Sequence, residues 1–229
     1  MDTLYFGKEF YMKGYRISII RHGMSEGNEK GLYIGRTDLP LSKKGQAQLC
    51  GKLDEFEYPS VHRVYSSPMK RCTETAEILF PNTEMCIVDN LKELDFGEFE
   101  GKSVQELIFN DDYREWIKGG IDKRAPGGES MEELCDRSYR ALHEIIMDMM
   151  NDGITHSAVI THGGIISNML SCFGLPKIDP KEIKCEFGEG FEIIVTAKMW
   201  QQSQVFEILG VVPYERLEEE QSDDSGEAI

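Results

Sequence analysis

With 229 residues, of which 40% are hydrophobic, the chain suits one α/β domain or one domain with a small insertion. Its formal charge of −16 argues against nucleic acid and against anionic membrane surfaces as partners. No apolar run approaches the roughly 18 residues of a membrane span, and Lys8, Glu9 and Lys13 interrupt any leader-like apolar core, so a cytoplasmic protein is expected.

The charge is uneven. Residues 215–229 hold seven acids against Arg216 alone and almost nothing apolar after Leu217, the composition of a disordered tail. The six cysteines (50, 72, 86, 135, 172 and 185) form no CxxC pair, and several fall on apolar helix positions. They read as buried free thiols in a reducing compartment, with no metal expected.

Residues 1–15 form an N-terminal extension ahead of the first strand, which is the apolar run Ile17 to Ile20. That run ends in Arg21-His22-Gly23. In an open α/β sheet ligands bind beyond the carboxyl ends of strands, so Arg21 and His22 emerge where a site is expected. Gly23 allows a tight turn and brings its amide close to whatever His22 faces. A guanidinium beside an imidazole suits an oxyanion, phosphate best of all.

Gly35 to Pro40 reads as a loop, and Ser42 as the cap of a helix to about residue 57. Val61 to Ser66 is a second strand. Ser67 as N-cap and Pro68 as first helical residue then place Arg71 in a first helical turn, beside free amides and the positive end of the helix dipole. Residues 85–89 read as a short strand. Ser103 with Glu106 and Ser130 with Glu133 read as capping boxes, with a further helical piece over 111–118. The second box opens the longest helix, which ends near Gly153. His156 to Thr161 is another central strand ending in His162-Gly163-Gly164, the same grammar as the first. If the two strands are neighbours, two imidazoles meet. Phe191 to Trp200 and Val205 to Leu209 read as closing strands joined by a hairpin through Gln201 to Ser203.

His22 suits attack on phosphorus if cations gather around the phosphoryl oxygens, which Arg21, Arg71 and His162 can supply. Asn28 and glycine amides add neutral donors. A carboxylic acid such as Glu93 would protonate the leaving oxygen, and no metal is then needed. The alternative for Glu93 is an ordinary exposed acid in an acidic stretch.

Taken together, these motifs resemble the histidine phosphatase superfamily, in its phosphoglycerate mutase-like branch, over about residues 16–200. The resemblance rests on Arg21-His22-Gly23 with Ser25 and Asn28, the Gly35 to Leu41 loop, and Ser66-Ser67-Pro68 with Arg71 and Thr75. It continues through Glu93 to Gly101, Pro126 to Ser130, and Thr161 to Gly164. It implies a three-layer α/β/α sandwich with a mainly parallel sheet over residues 16–214, and a small helical lid insertion over about 90–130. It implies a phosphohistidine on His22, Glu93 as acid and base, and a phosphoryl group held by Arg21, Arg71 and His162. Gly23, Ser25, Asn28, Gly35 and Gly163 would touch substrate, a small phosphate ester, with no cofactor. Met24 and Ser167 depart from the family's usual polar residues. The stretch after Glu93 is more similar to broad-specificity and α-ribazole phosphatases than to mutases. The activity expected is therefore a phosphomonoesterase; a phosphoglycerate mutase or a catalytically silent phospho-ligand binder are the alternatives.

Overall fold

A computed structural model describes residues 13–216. The aromatic N-terminal residues 1–12 and the acidic residues 217–229 lie outside it, and with them nearly all of the expected tail.

Nine strands and eight helices follow in order among the described residues. They are β1 (Gly14–Arg21), α1 (Glu26–Glu29), α2 (Lys43–Glu55), β2 (Phe56–Glu57), β3 (Arg63–Ser66), α3 (Lys70–Leu79) and β4 (Met85–Ile87). Then come α4 (Val104–Leu107), α5 (Asp111–Lys118), α6 (Met131–Asp152), β5 (His156–Thr161), α7 (Gly163–Phe173), β6 (Gly174–Leu175), β7 (Gly190–Thr196), α8 (Ala197–Ser203), β8 (Phe206–Val212) and β9 (Tyr214–Glu215). Seven strands make one sheet in the order β4-β3-β5-β1-β7-β8-β6. The pairs β4–β3, β3–β5, β5–β1 and β6–β8 are parallel, and β1–β7 and β7–β8 antiparallel. The mainly parallel α/β architecture is the one expected.

Strand alternation divides the core in two. Ile17, Ile19, Val159 and Ile193 point to one face and pack with Leu134, Leu142, Ile145 and Met149 of α6 and with Ile165 and Met169 of α7. Ile20, Ala158, Ile160 and Val64 point to the other and meet Leu49 of α2 and Cys72, Ala76 and Leu79 of α3. A continuous apolar strand is what burial on both faces demands.

Both capping boxes form as read: Ser103 with Glu106, and Ser130 with Glu133. The long helix closes at Gly153, whose φ of 72° lies in the left-handed region that glycine reaches without strain. Between Glu93 and α6, Phe99, Leu107, Tyr113 and Ala125 form a separate small core with Tyr33, Phe96 and Trp116 packed against it.

Three expectations are corrected. Ser67 is not an N-cap: α3 begins at Lys70 behind Met69, with no side-chain cap, because the Ser67 hydroxyl is engaged by His162. The segment after Thr196 is not a strand and hairpin but α8. The Thr196 hydroxyl accepts from the Met199 amide, Ala197 to Gln202 are fair to good helix formers, and Trp200 is drawn under Tyr139 and Phe173. The cysteines are all free, but only Cys72 is buried, and Cys50 and Cys172 are exposed. The side chain of Leu49 takes the core position beside Cys50.

Trp200 is 2% exposed, stacks on Tyr139 at 5.6 Å and donates its indole N–H to His143 at 3.2 Å. Trp200→Ala should therefore cost about 3–5 kcal/mol of stability, read as a lower urea midpoint at unchanged m-value.

Candidate active site

The site is assembled where β1 and β5 end side by side. Arg21 pairs with Thr161 in parallel register, and the His22 amide donates to the Thr161 carbonyl at 2.9 Å. One residue beyond each strand, the two imidazoles meet edge to face with centroids 5.0 Å apart.

His22 is 4% exposed. Its Nδ1 donates to the Gly23 carbonyl at 2.6 Å, which fixes the tautomer and leaves Nε2 as a bare acceptor. Burial, and then the charge of Arg71, push its pKa well below the ordinary imidazole value, so the ring is neutral at pH 7. Burial lowers His162 in the same direction, with His22 and Arg71 adding to it. His162 Nδ1 accepts from Arg71 Nε at 3.3 Å, and Nε2 lies 2.9 Å from Ser67 Oγ, so both nitrogens are engaged. Cys72 Sγ lies 3.5 Å from the same Nε2; burial pushes that thiol up to about 12, so it stays protonated.

Arg71 is fully buried and is held by carbonyls, donating to Thr37 at 2.9 Å and Gly35 at 2.8 Å. Those carbonyls orient the guanidinium without neutralising it. Arg21 donates to the Cys185 carbonyl at 2.7 Å and lies face-on to the Phe187 ring at 3.9 Å. Its Nε is buried without an acceptor. Both guanidinium groups thus retain donors for an anion.

Glu93 is 9% exposed, and its carboxylate accepts from the Leu94 amide at 2.8 Å and the Gly164 amide at 3.0 Å. A Cβ at Gly164 would lie 2.4 Å from a Glu93 oxygen, so only glycine permits this approach. The backbone of Glu93 is fixed from behind by Arg137, which donates to the carbonyls of Asn90 and Lys92 at 2.7 Å and of Glu93 at 3.2 Å. A paired contact to Glu129 completes its grip.

The remaining expected residues serve the surrounding backbone. Gly23 gives its amide to Thr75 Oγ1 at 2.9 Å, so its carbonyl rather than its amide is turned to the site. Ser25 is buried and caps α1 with Asn28, whose Oδ1 accepts from the Ser25 amide and hydroxyl. Gly35 is pinned by its amide to Glu100 and by its carbonyl to Arg71. Gly163 backs the Arg21 guanidinium; a Cβ there would be 3.4 Å from Nε. Met24 is buried, and Ser167 is half-buried with its hydroxyl 3.5 Å from the Pro180 carbonyl. Among the described residues no group of three His, Cys, Asp or Glu is arranged to hold a metal.

Several site residues carried no local signal. Phe187, with its ring 5.9 Å from that of His22, also walls a cleft of about 440 Å³ with Gln48, Lys52 and Glu189. Glu100 accepts from the Gly35, Arg36 and Thr37 amides and the Thr37 hydroxyl, and so shapes the loop that holds Arg71. Arg137 lies on the buried side of α6, and the Arg-Glu contact it makes with Glu129 spans eight residues.

The fold, the matched sequence and the motif order converge. Residues 17–201 match the description "Histidine phosphatase superfamily (branch 1)". The chain belongs to that superfamily, whose members are phosphatases or mutases. It is 31% identical over 157 residues to "Putative phosphoserine phosphatase 2" of Hydrogenobacter thermophilus, covering 66% of this chain and 74% of the relative. It is 30% identical over 166 residues to "Probable phosphoglycerate mutase GpmB" of Salmonella choleraesuis, covering 70% and 76%. The α-ribazole phosphatase structure from Shigella flexneri superposes with a TM-score of 0.72 at 20% identity, covering 89% of this chain and all of that one.

Because both imidazoles are held neutral, the unfolded chain binds more protons than the native one once the pH drops below about 6.5. The folded state should therefore keep its full stability above that pH and lose about 1.4 kcal/mol per unit below it for each of the two histidines. Urea unfolding at pH 7.5 and 5.5 checks this: His22→Asn should lose about 1.4 kcal/mol less across the interval than the wild type.

Proposed function

We propose that the protein is a metal-independent phosphomonoesterase that hydrolyses a small phosphorylated metabolite through a phosphohistidine on His22. The observation that carries the reading is the 2.6 Å contact from His22 Nδ1 to the Gly23 carbonyl. It leaves a neutral Nε2 lone pair within the field of Arg71 and Arg21, two arginines that are incompletely paired. Names among the relatives support phosphate-ester chemistry.

In the first step Nε2 attacks phosphorus; an N–P bond forms and the bond from phosphorus to the leaving oxygen breaks. Arg21 and Arg71 hold the phosphoryl oxygens and offset their growing charge, and the neighbouring His162 helps shape that end of the pocket. Glu93, in its acid form, gives its proton to the departing alkoxide. In the second step the Glu93 carboxylate takes a proton from water, the hydroxide displaces His22 from phosphorus, and inorganic phosphate leaves. Charge stabilisation by two guanidinium groups replaces what a metal ion would supply.

Phosphate release from a panel of phosphomonoesters in EDTA tests this. The panel includes phosphoserine, 3-phosphoglycerate, α-ribazole phosphate and an aryl phosphate. Release should persist in EDTA, vanish in His22→Ala, and fall 10²–10⁴-fold in kcat in Glu93→Gln. For an aryl phosphate, whose leaving group needs no proton, kcat/KM should be spared most of the Glu93 effect, because it reports the first step alone, while kcat still falls through the second. Loss of release in EDTA would overturn the metal-independent route. Conversion of 3-phosphoglycerate to 2-phosphoglycerate without net phosphate would make the enzyme a mutase.

A further inference from the structure

Of the six cysteines, two face one another away from the site. Cys135 lies in the second turn of α6 and Cys172 in the last turn of α7, and their sulfurs are 3.3 Å apart, with the Cys135 thiol donating. Neither belongs to the machinery described above. Cys172 is exposed and Cys135 half-buried, so a small reagent meets the first sulfur more readily than the second.

We propose that Cys135 and Cys172 form a reversible redox site that accepts low-molecular-weight disulfides such as oxidised glutathione and closes into a bond between α6 and α7. A disulfide needs its sulfurs about 2.0 Å apart, so closure asks for roughly 1 Å of approach, within reach of small side-chain rotations.

The chemistry runs through thiol–disulfide exchange. The Cys172 thiolate attacks one sulfur of oxidised glutathione; that S–S bond breaks, and one glutathione leaves as its thiolate. Cys135 then gives up its proton to solvent and attacks Cys172 Sγ, expelling the second glutathione. Two protein thiols become one disulfide, and one small disulfide becomes two thiols, with two electrons passed between them. Burial and the neighbouring sulfur push Cys135 up to about 12. Cys172, the more exposed of the two, is the first to meet a reagent.

The bond would join the two helices that grip Glu93. Two residues beyond Cys135, Arg137 holds the Glu93 backbone, and at the start of α7 the Gly164 amide holds its carboxylate. The closed loop spans the 37 positions from Cys135 to Cys172, so oxidation removes freedom from the unfolded chain and should raise Tm by roughly 5–10 °C. None of this depends on the reaction proposed for His22.

The test uses the full chain, reduced, desalted and exposed to oxidised glutathione at mildly alkaline pH. Non-reducing digestion should yield one peptide pair joined through Cys135 and Cys172, two hydrogens lighter than the sum of the two reduced peptides. The Tm should rise and return with dithiothreitol. Cys135→Ser should stop at a glutathione adduct on Cys172, while Cys172→Ser should give neither adduct nor cross-link on α6 and α7. A wild type that retains the adduct without closing, or closes through other cysteines, overturns the proposal. So does a cross-link that leaves Tm unchanged or lowers it, because that bond would capture a distorted chain rather than this helix pair.

Discussion

The parallel pairing of β1 with β5 is the constraint on which the rest of the site depends. Each strand taken alone ends in a polar dipeptide with nothing to act on. Placed in register, with the His22 amide on the Thr161 carbonyl, they bring two imidazoles to one edge of the sheet. Pairing to β7 on the other side of β1 adds the chain from Cys185 to Glu189, which supplies a carbonyl and an aromatic face to Arg21. The sheet order thus decides which groups can cooperate, and burial on both faces fixes the register, since a slip of one residue would turn Ile19 and Ile20 to the wrong cores.

Within that frame, the unusual feature is positive charge that is buried and oriented but not neutralised. Arg71 is completely enclosed, yet its direct partners are two carbonyls and an imidazole. Desolvating a cation this way costs several kcal/mol unless an anion offsets it. An ordinary buried arginine meets a carboxylate, as Arg137 does with Glu129. Arg71 and Arg21 are instead arranged so that a phosphoryl group would complete them. Burial keeps His22 unprotonated, with the charge of Arg71 and then of Arg21 adding to it, so the enclosure that frees the lone pair also strengthens the field those guanidinium groups present.

Much of this was legible in the chain because its signals are local. Capping boxes at Ser103 and Ser130 act over three residues, and apolar runs ending in His-Gly mark both central strands. The family resemblance gathered Arg21, His22, Arg71, Glu93 and His162. Local reasoning failed where a distant partner outbid a near one. Ser67 has the right chemistry for an N-cap, but His162, 95 residues away, takes its hydroxyl. Ala197 to Trp200 can be read as a continuation of the preceding strand, and the socket offered to Trp200 by α6 and α7 joins the Thr196 cap in making the segment helical. Phe187 and Arg137 had no motif to announce them, and Glu100, though inside the Glu93 to Gly101 stretch, gave no sign of its partners, because their roles exist only once separate segments are packed together.

Those three residues also explain why the catalytic candidates hold their places. Glu129 accepts from Arg137, which fixes the Glu93 backbone, and from Arg36, which follows Gly35 in the loop holding Arg71. Glu100 binds three successive amides of that loop and reaches the Phe96 amide beyond Glu93. Glu93 and Arg71 are therefore positioned by one connected set of charge-assisted hydrogen bonds. The Arg137–Glu129 contact is bidentate, and Glu129 reaches Arg36 through a single contact of 3.5 Å. Such a network restrains the distance from the Glu93 carboxyl to the Arg71 guanidinium. The role proposed for Glu93 requires this, because a proton must arrive as the leaving oxygen acquires its charge.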